Sequence, residues 1–259
     1  MHTALSDGEG DMDAFVARAA ELGLGEIGFS DHLVPRAWDD EGYGLAGQDV
    51  AGYAEAVRAA AARAARRAGA PRVLLGVEVD YVPGAEAELE ALLGRERFDY
   101  VIGSVHFADG FPFDMTTCRD DPRWDDVDAV WTAYWATVAR AAAWGRFDVV
   151  GHLDLPKKFG RRPSASMAAA EDAALDAIAA AGLALELNTS GLRHAAGEAY
   201  PGPSLLARAA ARGIPLVFGS DAHAPADVGR DLDRAAAVAR AAGYAWTRRL
   251  SDGAREPLR

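Results

Sequence analysis

The chain has 259 residues, half of them hydrophobic and a quarter charged, and its formal net charge is −12 at pH 7. A chain of this length can bury a substantial core, whereas so acidic a surface argues against nucleic-acid binding. Cys118 is the only cysteine, which excludes an intrachain disulfide and a thiolate metal cluster. Because no secretory signal and no bilayer-spanning apolar run is recognisable, we expect a cytoplasmic protein.

The hydrophobic pattern alternates helices with short apolar strands within what we expect to be a single domain spanning 1–259. It predicts helices at about 11–22, 48–68, 86–93, 127–144, 168–181, 204–212 and 231–242, and strands at 26–29, 73–77, 100–103, 147–151, 183–187 and 214–218. Such alternation is typical of a parallel sheet covered by helices. Polar residues follow nearly every strand, as at the rim of a barrel, whereas a doubly wound sheet would collect them at one switch point. We therefore predict an α/β barrel that is one strand short at its front.

Histidine and carboxylate residues recur at these strand ends. A single histidine in such a place is more often structural, but five similar placements together indicate a metal centre. Imidazole and carboxylate ligands without sulfur suit zinc, manganese or iron. Their number exceeds what one ion needs and predicts two or three divalent ions, an arrangement suited to hydrolysing phosphate esters. The residues are His2, His32, Glu78, His106, His152, Asp221 and His223.

Seven motifs carry these residues, and their order along positions 2–229 is informative. They are His2-Thr3 with Ser6-Asp7-Gly8, Phe29-Ser30-Asp31-His32, Gly76-Val77-Glu78, Tyr100 to His106 (YVIGSVH), Gly151 to Gly160 (GHLDLPKKFG), Asn188 to Arg193 (NTSGLR) and Gly219-Ser220-Asp221-Ala222-His223. In this order they resemble the histidinol-phosphate phosphatases of the polymerase-and-histidinol-phosphatase (PHP) superfamily. The resemblance implies a distorted TIM-like barrel of seven β/α units. It also implies metal-dependent hydrolysis of L-histidinol phosphate in histidine biosynthesis.

The resemblance further implies three ion sites. His2, Glu78 and Asp221 would hold the first ion, and Glu78 would also serve the third. Asp7, His32 and His223 would hold the second, although Asp7 in Ser-Asp-Gly can equally be a turn residue. The third would be completed by His106 and His152.

The first motif of the chain departs from the family pattern. The family begins with His-x-His at the end of its first strand, and here Met1 occupies the middle position before His2. We therefore expect the natural start codon to lie upstream of Met1. An in-frame upstream strand that ends in histidine would confirm this expectation.

Basic side chains near the rim are candidates for binding the substrate phosphate. We expect Arg193 to bind the phosphoryl oxygens, since guanidinium groups match phosphate, and Lys158 and Arg161 to assist. Lys157 is a further candidate, although a solvated loop explains the lysine pair equally well. Asp221 or His223 could protonate the leaving group. Four polar residues are expected to orient the imidazoles: Asp31, Ser104, Asp154 and Asn188. Four aromatic residues of the long loop could line the pocket, although ordinary packing explains them equally well: Phe107, Phe111, Phe113 and Trp124.

Two other functions fit parts of the pattern. Another PHP phosphoesterase would act on nucleotides or oligonucleotides, which the net charge of −12 disfavours. A metal-binding protein with weak activity is the second alternative, because the first histidine of the family motif is missing. The sequence predicts a small phosphorylated substrate, and it does not predict metal identity or oligomeric state.

Overall fold

A computed structural model describes residues 1–258, apart from the side chain of Ala46. Short 3-10 helices join the main elements. The helices are α1 (Met12–Glu21), α2 (Val50–Ala64), α3 (Glu86–Leu93), α4 (Val127–Trp144), α5 (Ala168–Ala180), α6 (Pro203–Ala211) and α7 (Leu232–Ala241). The strands are β1 (Glu26–Phe29), β2 (His32–Leu33), β3 (Arg72–Asp80), β4 (Tyr100–Ser104), β5 (Phe107–Ala108), β6 (Phe111–Pro112), β7 (Val149–Val150), β8 (Ala184–Asn188), β9 (Leu216–Gly219), β10 (Trp246–Arg248) and β11 (Arg255–Pro257).

Six parallel strands form a sheet curled into a half-barrel, in the order β1-β3-β4-β7-β8-β9. Strand β2 adds a short parallel pairing beside the end of β3, where His32 lies opposite Glu78. The pairs β5–β6 and β10–β11 form separate antiparallel hairpins. Because the six strands are parallel, their carboxyl ends meet at one rim, as the barrel prediction requires.

The seven predicted helices and six predicted strands are all present, with shifts at their ends. Strand β2 and the β5–β6 hairpin, within the segment expected to be a long loop, were not predicted. Strand β3 continues to Asp80 beyond its predicted end, because its last residues pair with β2 on one side and β4 on the other. Strand β7 is reduced to two residues. The tail after Thr247, for which the pattern predicted no structure, contributes to the β10–β11 hairpin.

The two faces of the half-barrel are both apolar. The convex face packs against the helices in the larger hydrophobic cluster, and the concave face carries a smaller one that includes Leu74, Tyr100 and Val217. The Tyr100 ring lies so close to Gly28 and Gly76 that a Cβ at either glycine would overlap it. Glycine at these two positions therefore lets an aromatic ring fill the inside of the sheet.

The beginning of the chain lies between the two outer strands. Ser30, after β1, donates its N–H to the Met1 carbonyl at 2.9 Å, and His2 donates its N–H to the Ala222 carbonyl, after β9, at 2.9 Å. A groove of about 580 Å³ runs below Met1 along the concave face. The sheet thus has the six strands that were predicted, and a strand upstream of Met1 stays a prediction. Within residues 1–258, no helix is long and apolar enough to cross a membrane.

Candidate metal centre

The carboxyl rim of the half-barrel gathers the predicted metal ligands. Glu78 is on β3 and His32 is on β2, so strand pairing places them side by side. His106 follows β4 and His152 follows β7, whereas the start of the chain and the segment after β9 supply the others. The structure brings together all eight residues: His2, Asp7, His32, Glu78, His106, His152, Asp221 and His223.

The outer half of the cluster is built around the His2 imidazole. Its ring is stacked between those of His32 and His223, with centroid distances of 4.4 and 4.3 Å. Nε2 of His2 lies 3.2 Å from Asp221 Oδ1, and its buried Nδ1 has no hydrogen-bond partner among the described residues. Asp7 Oδ2 lies 3.2 Å from His223 Nε2. Three imidazoles and two carboxylates thus face one small volume.

The inner half of the cluster is formed by Glu78 with two buried imidazoles. Oε1 of Glu78 lies 3.0 Å from His152 Nε2 and 3.6 Å from His106 Nε2, and the two Nε2 atoms are 3.2 Å apart. The other oxygen, Oε2, lies 3.4 Å from His2 Nε2 in the outer half. Glu78 is therefore placed to bridge ions in the two halves.

The pKa values in the cluster reflect its alternating charges. Burial alone would raise the pKa of Glu78, but the charge of His32 and the hydrogen bond with His152 hold it well below its usual range. Burial opposes protonation of the imidazoles, yet Glu78 raises the pKa of His152 to about 9 and Asp7 raises the pKa of His223 to about 8. Carboxylates that stay ionised beside nitrogens that attract cations are a donor set that fits divalent metal ions.

Asp80 is a buried carboxylate of the rim that sequence reasoning missed. It lies two residues after Glu78 on β3, so both side chains point to the same face. Its Oδ1 lies 3.0 Å from His32 Nδ1 and its Oδ2 lies 2.9 Å from His106 Nδ1. The spacing Glu-x-Asp could have indicated it, had the strand been predicted to extend beyond Glu78.

A cavity of about 260 Å³ opens directly above the cluster. Its floor includes Glu78 and its wall includes Lys158, whose Nζ lies 3.2 Å from Asp114 Oδ2. Burial would raise the pKa of Asp114, but Lys158 and nearby imidazoles lower it. Glu41 is a second carboxylate of the wall, and the Tyr43 side chain also lines the cavity. The cavity therefore offers a cation and two carboxylates beside the possible metal sites.

The basic residues that were predicted to bind phosphate have different surroundings. Lys158 lines the cavity, as expected. Arg161 does not line the cavity: its Nη2 donates to the Arg119 carbonyl and its guanidinium lies over the Trp124 ring, so substrate binding by Arg161 stays a prediction. Arg193 does not line the cavity either. Its Nη2 donates to the Ser220 carbonyl at 2.8 Å, and its Nη1 is buried without a hydrogen-bond partner among the described residues.

Lys157 is a structural residue rather than a surface cation. Its side chain is fully buried, and its Nζ lies 2.8 Å from Asp154 Oδ2 and 3.1 Å from Glu198 Oε1. The ammonium also donates to the Ala199 carbonyl at 2.9 Å. These contacts fix the loop after His152 and leave the next residue, Lys158, as the cation that reaches the cavity.

Three of the four residues expected to orient imidazoles have other partners. Asp31 binds the backbone and hydroxyl of Thr3 and the hydroxyl of Ser6, and Asp154 binds Lys157. Asn188 donates to Glu186. Ser104 Oγ has no partner among residues 1–258. Among the described residues, Asp80 is the carboxylate that contacts Nδ1 of both His32 and His106. The four aromatic residues of the long loop are buried in the core, outside the cavity lining.

A parallel half-barrel with a histidine–carboxylate cluster at its rim defines an α/β protein of TIM-like architecture with a possible metal site. The chain belongs to the PHP family, because residues 1–190 match the model described as "PHP domain". The predicted membership is confirmed.

Three known proteins are similar to this chain. A Deinococcus radiodurans protein named "Probable histidinol-phosphatase" is 39% identical over 230 residues, which are 88% of this chain and 86% of that protein. A Bacillus subtilis "Histidinol-phosphatase" is 33% identical over 172 residues, 60% of this chain and 64% of that protein. The crystal structure of histidinol phosphate phosphatase from Lactococcus lactis, complexed with zinc, L-histidinol and phosphate, shares the fold with a TM-score of 0.77. It is 21% identical and covers 94% of this chain and 92% of that chain.

Proposed function

We propose that this chain is a histidinol-phosphatase, which hydrolyses L-histidinol phosphate to L-histidinol and phosphate, and that residues 1–259 act as one domain. The observation that carries the proposal is the position of Glu78 between two groups of imidazoles at the floor of the cavity. Two similar proteins bear the name histidinol-phosphatase, one of them with 39% identity.

The cluster is suited to hold two or three divalent ions, with zinc, manganese and iron as the candidates. Such ions would polarise the phosphoryl group and lower the pKa of water, which is the chemistry that phosphate-ester hydrolysis requires. His2 and Asp221 would hold the first ion with Glu78. The second would be held by Asp7, His32 and His223, and the third by Glu78, His106 and His152.

The remaining residues would bind the substrate and move protons. Lys158 is the cation of the cavity wall. Arg193, whose Nη1 has no hydrogen-bond partner among the described residues, would bind the phosphoryl oxygens if its side chain turned from Ser220 towards the cavity. Asp221 and His223 both line the cavity, so either is a candidate to protonate the leaving group, in a state in which the donor holds no ion. The two side chains are neighbours, with 3.7 Å between Asp221 Oδ1 and His223 Nδ1.

The acidic wall explains why an amino-alcohol phosphate would be selected. Asp114 and Glu41 face the cavity and are complementary to a substrate ammonium group. The proposal therefore predicts faster phosphate release from L-histidinol phosphate than from its analogue without the amino group, and much faster release than from nucleoside monophosphates. Purified protein loaded with zinc or manganese tests this by the rate of phosphate release.

Two results would contradict the proposal in different ways. Equal rates on all three esters would reject the substrate and keep a general phosphatase. Absence of phosphate release from every ester, with ions bound, would leave a metal-binding protein. As a matched variant, Glu41→Gln leaves Lys158 and its partner Asp114 in place. It should raise the KM for L-histidinol phosphate up to about tenfold, the effect of about 1.4 kcal/mol, and leave the KM for the amine-free analogue nearly unchanged.

A further inference from the structure

Asp80 contacts two imidazoles that belong to different halves of the cluster. His32 lies beside Asp7 in the outer half, with 3.8 Å between His32 Nε2 and Asp7 Oδ2. His106 lies in the inner half, where its Nε2 is 3.2 Å from His152 Nε2. Both present Nδ1 to the Asp80 carboxylate, at 3.0 and 2.9 Å. Asp80 is fully buried and contacts both halves.

An ionised carboxylate can only accept hydrogen bonds, so each imidazole must donate from Nδ1. The lone pair of a neutral imidazole is then on Nε2, the nitrogen that faces Asp7 in one half and Glu78 in the other. We propose that Asp80 is a positioning residue that directs Nε2 of His32 and Nε2 of His106 towards two different ion sites. The inference rests on the metal centre of the proposed function and assigns one orienting carboxylate to two ions.

The alternative is that Asp80 is itself a metal ligand, since its oxygens lie close to ligand atoms of His32, Glu78 and His106. Its contacts favour the positioning function. Oδ1 is occupied by His32, and Oδ2 by both His106 and the hydroxyl of Tyr43, which donates to it. The Tyr43 ring also meets the His32 ring edge-on, with a centroid distance of 5.1 Å. An ion at Asp80 would have to displace these partners.

Replacing Asp80 by asparagine or by alanine tests whether its contacts with His32 and with His106 each support an ion site. In asparagine, one carboxylate oxygen is replaced by an NH2 group that can only donate, so only the remaining oxygen can accept from an Nδ1–H at its present position. Zinc affinity measured by calorimetric titration should therefore fall by about 10–100-fold at one class of sites in Asp80→Asn, and at both classes in Asp80→Ala. In the zinc-loaded protein, nitrogen-15 NMR of the histidines should show Nδ1–H retained in one of the two rings of Asp80→Asn.

Two tyrosine variants provide the controls. Tyr43→Phe removes only the third contact of Asp80 and should weaken zinc binding by a few-fold, roughly the effect of one hydrogen bond. Tyr53→Phe is the matched variant, because the Tyr53 hydroxyl is also buried and donates to the Gly76 carbonyl on the same strand at 2.8 Å. It should lower thermal stability and leave zinc affinity unchanged.

Three results would overturn the proposal. The first is that both Asp80 variants bind zinc as tightly as the wild-type protein. Asp80→Asn could lose one ion per chain while both rings keep Nδ1–H, as expected for a lost ligand. Tyr53→Phe could weaken zinc binding as much as Tyr43→Phe, which would indicate general loosening of β3. All readouts are obtained without substrate, so they are independent of which ester the enzyme hydrolyses.

Discussion

The two halves of the metal centre differ in how firmly the fold holds them. The inner half, with Glu78, His106 and His152, is 4–5% exposed and extends from β3 and from the ends of β4 and β7. In the outer half, His2 and His32 are also buried, but the side chains of Asp7, in a turn, and His223, in a bend, are 30% and 39% exposed. The inner half is thus preorganised by the sheet, whereas part of the outer half can move at the cavity surface. We therefore expect the inner ligands to determine ion affinity more strongly.

The bridge between the halves should be the most sensitive position. Glu78→Gln keeps the shape of the side chain and removes the charge that faces His2 on one side and His152 on the other. Because both halves lose a ligand, we expect kcat/KM to fall by more than the roughly 100-fold that loss of a supporting residue costs. Phosphate release and zinc stoichiometry would be measured together.

Glu186→Gln is the matched control for this change. Glu186 is also buried, and its Oε2 accepts from the His152 N–H and from the Asn188 amide, each at 3.0 Å. Its charge acts on the His152 imidazole, but among the described residues it forms no ion pair with an imidazole of either half. Its replacement should affect activity much less. Equal losses in the two variants would mean that any buried carboxylate near the rim matters, and the bridging position of Glu78 would then have no special importance.

Replacing one histidine in each half measures the difference between them directly. We expect His152→Ala to weaken zinc binding towards the upper end of a 10–100-fold range and His223→Ala towards the lower end, roughly as for supporting residues. The reason is that water can enter beside the exposed His223 and take its place, while it cannot reach the buried His152 as easily. The comparison of halves is wrong if the two variants bind zinc equally well.

The smallest expected effect concerns stability and pH. In the metal-free protein, the folded state keeps protons on His152 up to about pH 9 and on His223 up to about pH 8, against an ordinary pKa of 6.5. The folded state thus binds more protons than the unfolded chain between pH 6.5 and 9, so stability must fall as the pH rises through this window. Thermal unfolding should show a lower Tm at pH 9 than at pH 6.5, by about 2–4 °C for each kcal/mol lost.

The zinc-loaded protein is the control for this pH dependence. Bound ions would replace the protons on the imidazoles, so its Tm should not fall across the same window. A metal-free Tm that is constant or rises from pH 6.5 to 9 would contradict the proton distribution described for the cluster.

Much of the fold and the ligand cluster could be predicted because their signals are local. Alternating apolar runs located six strands, and a histidine or acid after a strand end located Glu78, His106 and His152. Asp80 was missed because the extension of β3 depends on pairing with β2, a two-residue strand that has no pattern of its own. Strand ends set by neighbouring strands are not visible in the sequence of one strand.

The functions of the basic residues also could not be predicted from local sequence. Lys157, Lys158 and Arg161 share one polar loop and have no local difference that would separate their functions. Only Asp154 and Glu198, the latter 41 residues away in the chain, show that Lys157 is buried in an ion pair. Arg161 is directed to the Arg119 carbonyl, 42 residues away. Long-range partners of this kind cannot be inferred from the loop itself.

The burial of Lys157 has a practical consequence for chemical labelling. The chain contains only two lysines, Lys157 and Lys158. Because the first is enclosed by its ion pairs and the second lines the cavity, an amine-directed reagent would modify, apart from the amino terminus, a single side chain. The extent of its modification would report occupancy of the cavity, so the native protein already carries a one-site probe for ligand binding.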